Sequence, residues 1–429
     1  RGMGAVRAGP YVKAMVPVVP LSDPYGEAVY FNDSGAFNLS LSMGWGGLVS
    51  FQKGEKVPEI DWEKAFEVLP LMEWDTKVTG RKIPYLRDWL EHNTFDEYWK
   101  KGSVRGKWHE IRSPMLNIGG WYDIFSKTVL EHTQKVRETS MARPMRNHQH
   151  VIIGPWIHGV SHDGKVGDMD FGEDAVIDLR EWRTRWFDSW LKGKETGVKD
   201  LPPYRIFVMG KNEWKDIDNW PPRNAQYTLF YFHSDGSANT LDGDGTLSTQ
   251  RPAEQPTDKF TYDPENPVPT LGGCNLFGCP AGPFDQRKAE KRDDVLVYTS
   301  EELKEEVEVT GPVTVILYAA SSAPDTDWTA KLVDVHPDGR AINLCDGVIR
   351  ARYRDITENP SLIEPGDIYC YEIDLWVTSN VFLPGHRIRV EISSSNFPRF
   401  NRNPNTGHPF ASDAKLQKAV QTIYHDMEH

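Results

Sequence analysis

Two polar residues in this sequence stand where acid–base chemistry is ordinarily built. Asp123 closes the run Gly119-Gly120-Trp121-Tyr122-Asp123, and His158 closes Gly154-Pro155-Trp156-Ile157-His158. Each follows a short apolar stretch that reads as a buried strand, Met115-Leu116-Asn117-Ile118 before the first and Val151-Ile152-Ile153 before the second. They are 35 residues apart, one full strand–helix–strand crossover. In open parallel sheets, functional side chains collect just past the C-terminal strand ends. An Asp that accepts the Nδ1–H of a His fixes its tautomer and stabilises the imidazolium formed when the ring takes a proton. Each residue also has an ordinary structural role open to it. Asp123 can cap a helix that begins near Phe125, and His158 can be a hydrogen-bonded loop residue.

The elements around them must bring the two loops to one edge. Phe125 to Val136 reads as a helix, and strand, helix, strand within this distance makes a βαβ unit with parallel strands. Residues 174–191 read as an amphipathic helix, with Leu179, Trp182, Trp186 and Trp190 on one side and Gly193 as its C-cap. A further strand is expected over Arg205–Met209, and an earlier one over Val12–Val19, where the run is short, apolar and β-branched. Between them, Trp62, Ala65, Phe66 and Leu69 share a helical face, and Thr94 with Glu97 has the spacing of a capping box. Beyond residue 224 helical spacing stops. Short strand-like runs (227–232, 295–298, 313–318, 331–335, 341–344, 369–377 and 387–392) alternate with turns, such as His336-Pro337-Asp338-Gly339. The expected organisation is an α/β core over 1–23 and 106–223, a helical insertion over 24–105, and an all-β sandwich over 224–429.

Composition narrows the function classes. The 429 residues are 39% hydrophobic and 26% charged, a globular mixture with enough apolar side chains for more than one domain. The net charge of −13, without any run of Lys and Arg, argues against a nucleic-acid groove. No apolar run approaches the roughly 20 residues that span a bilayer, so a soluble chain without membrane partners is expected, its compartment unassigned. Fifteen Trp residues point to aromatic-lined cores, pockets or interfaces. Cys274 and Cys279 are close enough in sequence to form a disulfide and equally acceptable as a reduced pair. His148-Gln149-His150 has two imidazoles but no third ligand nearby, and the acidic loop Asp163, Asp168, Asp170, Glu173, Asp174 lacks a calcium-loop spacing. No metal and no cofactor is expected.

The nucleophile is the missing part. Acid then base matches the second half of Ser…Asp/Glu…His, but a Gly-x-Ser-x-Gly elbow occurs nowhere in the 429 residues. Gly159-Val160-Ser161-His162-Asp163-Gly164 comes near, yet it follows the His and has different spacing. Several longer motifs carry a family resemblance: Gly119-Gly120-Trp121-Tyr122-Asp123-Ile124-Phe125, Ile153-Gly154-Pro155-Trp156-Ile157-His158-Gly159, Trp186-Phe187-Asp188-Ser189-Trp190-Leu191-Lys192-Gly193, Val208-Met209-Gly210-Lys211-Asn212-Glu213-Trp214 and Pro280-Ala281-Gly282-Pro283-Phe284-Asp285-Gln286-Arg287. Through them the chain resembles the cocaine-esterase / X-prolyl dipeptidyl-peptidase group of α/β-hydrolase serine hydrolases, which includes α-amino-acid ester hydrolases and glutaryl-cephalosporin acylases.

The resemblance implies a partial α/β-hydrolase core, a helical cap and a C-terminal jelly roll. It makes Asp123 the triad acid and His158 the triad base, and it places the nucleophilic Ser and the oxyanion hole upstream of Arg1. It also puts the end at His429 short of a final strand. The chain is thus expected to be cut at both ends and inactive alone, with the missing N-terminal segment as its first partner and a homo-oligomer compatible with what remains. The resemblance places Trp45, Phe125, Leu276 and Phe277 on the walls of a pocket for an ester, an amide or a short peptide. Each of the four is also an acceptable core residue. The competing class is a non-catalytic binding module built on the aromatic-rich jelly roll.

Overall fold

The computed structural model describes residues 2–7, 9–160, 163–355 and 358–429. Apolar spacing between residues 24 and 105 yields short helices, among them α1 (Trp62–Glu67), α2 (Trp74–Thr79), α3 (Pro84–Glu91) and α4 (Glu97–Lys100). They close around a core of their own in which Tyr25, Tyr30, Phe66, Trp74, Leu86 and Trp99 are buried. Two local expectations change. α1 stops at Glu67 and leaves Leu69 outside, because Pro70 disfavours helical backbone at the residue before it. α4 is capped by Asp96 instead of Thr94; the Asp96 carboxylate accepts the Tyr98 N–H at 2.9 Å.

The central sheet is formed by β1 (Met115–Gly120), β2 (Gln149–Gly154), β3 (Tyr204–Val208) and β4 (Glu213–Ile217), in that order. β1, β2 and β3 run parallel, and β4 is antiparallel to β3. α5 (Ser126–Thr139) is the crossover between β1 and β2, and the register sets Gly120 opposite Gly154. β1 and β2 are buried throughout, as parallel strands covered on both faces must be. Residues 12–19 are not the continuous strand their composition suggests. Met15 and Val18 make single parallel bridges to Met115 and Ile118, and Pro17 and Pro20 have no N–H to extend a ladder.

α6 (Leu179–Lys192) packs across this sheet and begins later than its apolar spacing suggests, after a 3₁₀ turn at Glu173–Ala175. The Asp178 carboxylate accepts the Arg180 and Glu181 N–H groups at its start, and Gly193, at φ 69°, closes its end in the left-handed region. Trp186 and Trp190 meet the rings of His150 and His148, with centroids 5.8 and 4.9 Å apart. The two imidazoles are therefore packing partners of α6, and among the described residues neither belongs to a group that could hold a metal ion. The carboxylates of the acidic loop accept backbone N–H groups: Asp170 takes that of Gly172 and Asp168 that of Asp285.

The C-terminal half is a β-sandwich. Its strands are β5 (Tyr231–His233), β6 (Thr246–Ser248), β7 (Asp258–Tyr262), β8 (Leu296–Thr299), β9 (Val307–Ser321), β10 (Asp327–Val335), β11 (Ala341–Arg350), β12 (Tyr369–Phe382), β13 (Arg387–Ser393) and β14 (Ala419–Tyr424). One sheet has the order β11-β10-β13-β8-β6-β5 and the other β12-β9-β14-β7. The apolar core between them runs without a break into the loop after β1, since Trp121, Tyr122 and Phe125 share a cluster with Leu344, Trp376 and Ile392. The molecule is thus an α/β-hydrolase-like core joined to a C-terminal β domain.

His150, on β2, links pH to stability. Burial pushes its imidazole down from 6.5 to about 4, and His132 on α5 shifts in the same direction for the same reason. Between those values the unfolded chain holds a proton at His150 that the folded chain excludes. The stability is complete above pH 6.5 and is lost as the pH falls toward about 4, on the order of 3 kcal/mol for His150. Replacing His150 by Gln should flatten the fall of the thermal midpoint across this range. An unchanged slope would show that His150 titrates normally.

Candidate active site

Two glycines let the two strand-end loops touch. A Cβ on Gly120 would lie 2.2 Å from the Trp156 carbonyl oxygen, and one on Gly154 would lie 2.3 Å from the Trp156 ring. Without them the loops close on each other. The Trp121 N–H donates to the Gly154 carbonyl at 2.8 Å, and the Tyr122 N–H to the Trp156 carbonyl at 2.9 Å. Each indole is pinned in turn, Trp121 on the Phe207 carbonyl and Trp156 on the Ala175 carbonyl, both at 2.7 Å.

This brings Asp123 and His158 together. Oδ2 of Asp123 accepts the Nδ1–H of His158 at 2.6 Å, and Oδ1 accepts the Phe125 N–H at 2.8 Å. Asp123 therefore engages the loop backbone with one oxygen and the imidazole with the other, while α5 begins at Ser126 with Phe125, not Asp123, at its N-cap. Asp123 is wholly buried. Burial raises its pKa above the ordinary carboxylate value, and hydrogen bonds from His158, Phe125 and Ile124 oppose that rise. The His158 side chain is 27% exposed. With Nδ1 engaged, Nε2 has no hydrogen-bond partner among the described residues and is the atom free to exchange a proton.

The four aromatic and apolar candidates divide into two groups. Phe125 stands edge-on to the imidazole, with ring centroids 5.5 Å apart. Phe277 instead packs on Trp62 at 4.9 Å and lies so close over Gly44 that a Cβ there would be 2.1 Å from its ring. Trp45, the residue after Gly44, is half exposed at the end of the helical turn Ser40–Trp45. Leu276, beside Phe277, is also partly exposed. The structure thus sets Phe125 against His158 and sets the Phe277 loop against the Trp45 segment.

That loop is more closely tied to the site than its sequence suggests. Gly273 and Gly282 exchange backbone hydrogen bonds at 2.8 and 3.0 Å, and Gly272 and Gly273 both sit at positive φ. The Cys274 thiol reaches the Trp121 carbonyl at 3.5 Å, and the Tyr122 hydroxyl donates to the Asn343 carbonyl of β11 at 3.2 Å. Cys274 and Cys279 are both free thiols, and burial pushes the Cys279 thiol up to about 11. The sequence reading names Cys274, Tyr122 and Trp62 but gives none of them a place at the site; the paired glycines at 272 and 273 are a local mark of this approach. Ser161 lies outside the described residues.

A family model for the X-Pro dipeptidyl-peptidase (S15 family) matches residues 2–160, and one for the X-Pro dipeptidyl-peptidase C-terminal non-catalytic domain matches residues 196–429. The chain is 40% identical to the cocaine esterase of Rhodococcus sp. (strain MB1 Bresler), over 97% of this chain and 75% of that one. Among solved structures, an aminopeptidase from a marine sediment Thaumarchaeota archaeon superposes with a TM-score of 0.85 at 26% identity, covering 99% of this chain and 72% of that one. An α-amino acid ester hydrolase superposes with a TM-score of 0.84 at 26% identity, covering 99% and 73%.

The contact at Gly120 makes a direct prediction. Gly120→Ala should lower stability by about 1–3 kcal/mol and part the loops. The downfield proton resonance of the Asp123–His158 hydrogen bond should then weaken or vanish. A variant with wild-type thermal midpoint and resonance would show that the contact relaxes cheaply.

Proposed function

We propose, from the premise that this chain belongs to the cocaine-esterase and X-Pro dipeptidyl-peptidase family of hydrolases, that it cleaves carboxylic esters or amides through an acyl-enzyme on a serine. The observation that carries this reading is the 2.6 Å hydrogen bond from His158 to a buried Asp123, with no partner on Nε2 among the described residues. In the proposed cycle Nε2 takes the proton of a serine hydroxyl as its oxygen attacks the substrate carbonyl carbon. The same nitrogen returns that proton to the leaving alkoxide or amine, and then activates the water that releases the acid. Asp123 holds the imidazole in the Nδ1–H tautomer throughout and stabilises its protonated form.

The serine is proposed to come from outside these 429 residues, which therefore do not catalyse the reaction by themselves. In support, no Gly-x-Ser-x-Gly elbow occurs in the sequence, and no described hydroxyl reaches Nε2. An ester is the favoured substrate class over a β-lactam side-chain amide or an Xaa-Pro peptide. The higher identity to an esterase supports this, as does the aromatic edge of Phe125 beside the imidazole, which suits a flat apolar acyl group. Trp45, Leu276 and Phe277 are proposed as the outer wall, where the cap meets the sandwich loop.

Fluorophosphonate labelling of the full-length gene product tests this, with mass spectrometry to locate the adduct. The label is expected on a serine outside residues 1–429. His158→Ala and Asp123→Asn should each slow labelling by roughly 100-fold or more, the Asn variant because it favours the wrong imidazole tautomer. An adduct on Ser161 or any other serine of this chain would refute the external nucleophile. Wild-type rates in both variants would refute the Asp123–His158 assignment.

A further inference from the structure

Far along the chain from the catalytic loops, three metal-capable side chains converge in the sandwich. Asp334 near the end of β10, His336 just after it and His386 just before β13 offer one carboxylate oxygen and two ring nitrogens, all within 4.8 Å of one another. Oδ1 of Asp334 accepts the Nδ1–H of His386 at 2.7 Å, and both residues are buried. Among the described residues the other Asp334 oxygen meets the Asn380 amide alone, at 3.5 Å. The His336 ring lies on the His386 ring, with centroids 4.5 Å apart and planes tilted by 42°. Among the described residues, no hydrogen-bond partner meets either ring nitrogen of His336. His336 thus brings a ring nitrogen with no hydrogen-bond partner among the described residues within reach of the ligand atoms of Asp334 and His386.

The backbone beneath these side chains is firmly set. β10 pairs with β11 on one side and β13 on the other, with Val335 opposite both Ala341 and Arg387. The turn after β10 is closed by the His336 N–H on the Arg340 carbonyl at 2.8 Å and the Gly339 N–H on the His336 carbonyl at 2.9 Å. His386 is fixed by its N–H on the Leu383 carbonyl at 3.0 Å and its carbonyl under the Leu303 N–H at 2.8 Å. Tetrahedral Zn²⁺ holds its nitrogen and oxygen ligands about 3.3 Å apart, so the 2.7 Å Asp334–His386 contact would open slightly and the wider separations, all within 4.8 Å, would close. The adjacent Asp338 and Arg340 pair with each other at 2.8 Å, which leaves Asp334, hydrogen-bonded to His386 and Asn380, as the carboxylate facing the two imidazoles.

We propose that Asp334, His336 and His386 form a Zn²⁺ site that fastens the β10–β11 turn to the start of β13. Two imidazoles and one carboxylate are a ligand set that zinc accepts readily, and the half-exposed side of His336 leaves a fourth position to water. The site is independent of the proposed hydrolytic chemistry and serves the sandwich as a removable clasp.

The test uses Zn²⁺ alone, added to chelator-stripped protein in competition with a chromophoric chelator. One Zn²⁺ per chain is expected, together with a rise of a few degrees in thermal midpoint and the visible absorption of tetrahedral Co²⁺ when cobalt replaces zinc. His336→Gln breaks no hydrogen bond and should fold. It should weaken Zn²⁺ binding by about 100-fold or more and abolish the thermal shift. His408→Gln, which alters an exposed histidine elsewhere, should bind as wild type does. Sub-stoichiometric zinc in the wild type, undiminished binding in His336→Gln, or an equal loss in His408→Gln would each overturn the site.

Discussion

Everything at the candidate site depends on how closely two loops approach at the ends of β1 and β2. Gly120 and Gly154 sit opposite each other in a parallel register, and Trp156 occupies the space their side chains would need, its carbonyl against Gly120 and its ring against Gly154. Once that approach is made, two interloop hydrogen bonds hold it, and Asp123 is carried under His158. Asp123 and His158 are thus brought together by backbone packing. Their own hydrogen bond then fixes orientation: a 2.6 Å contact from a buried carboxylate leaves the imidazole one tautomer and one nitrogen without a partner among the described residues.

The burial of Asp123 has a cost that its neighbours offset. An ionised carboxylate without water is unfavourable, and its raised pKa expresses this. Two backbone N–H groups and one imidazole N–H compensate, so the carboxylate that meets His158 is also tied to the loop leading into α5.

The C-terminal domain matches a family description that calls it non-catalytic, yet it frames the site. Its core is continuous with Trp121, Tyr122 and Phe125, Tyr122 is hydrogen-bonded to β11, and Cys274 lies against the Trp121 carbonyl. The sandwich is in turn stiffened by buried ionic contacts such as Arg350 with Asp327, at 2.8 and 2.9 Å. Removing one partner of such a pair leaves a buried charge alone, which costs more than the pair itself contributes. The loop over Gly272–Gly282 therefore stands on a stiff base while its tip, at Leu276 and Phe277, reaches the helical cap.

Local signals in the sequence carried the catalytic half of this fold. Apolar runs gave away β1, β2 and β3, the periodic tryptophans gave α6, and the crossover length alone implied that Asp123 and His158 emerge side by side. These features rest on neighbours within one element or one crossover, where spacing translates directly into geometry. Short or polar-alternating strands were illegible: β6 is three residues long, and β7 and β14 are recognisable only by their pairing with each other. Val12–Val19 misled in the opposite direction, since its β-branched run outweighs Pro17 within it and Pro20 after it in composition but not in hydrogen bonding. The fit of Phe277 over Gly44 and the meeting of Asp334, His336 and His386 had no local trace at all. Both join segments distant in the chain, and only the packing of cap on sandwich and strand on strand determines which of them come within reach. The sequence by itself therefore determined the pairing of Asp123 with His158 and the layers that present it, whereas the tertiary structure decided what surrounds that pair, because contacts between remote segments are set by close packing and leave no periodic mark.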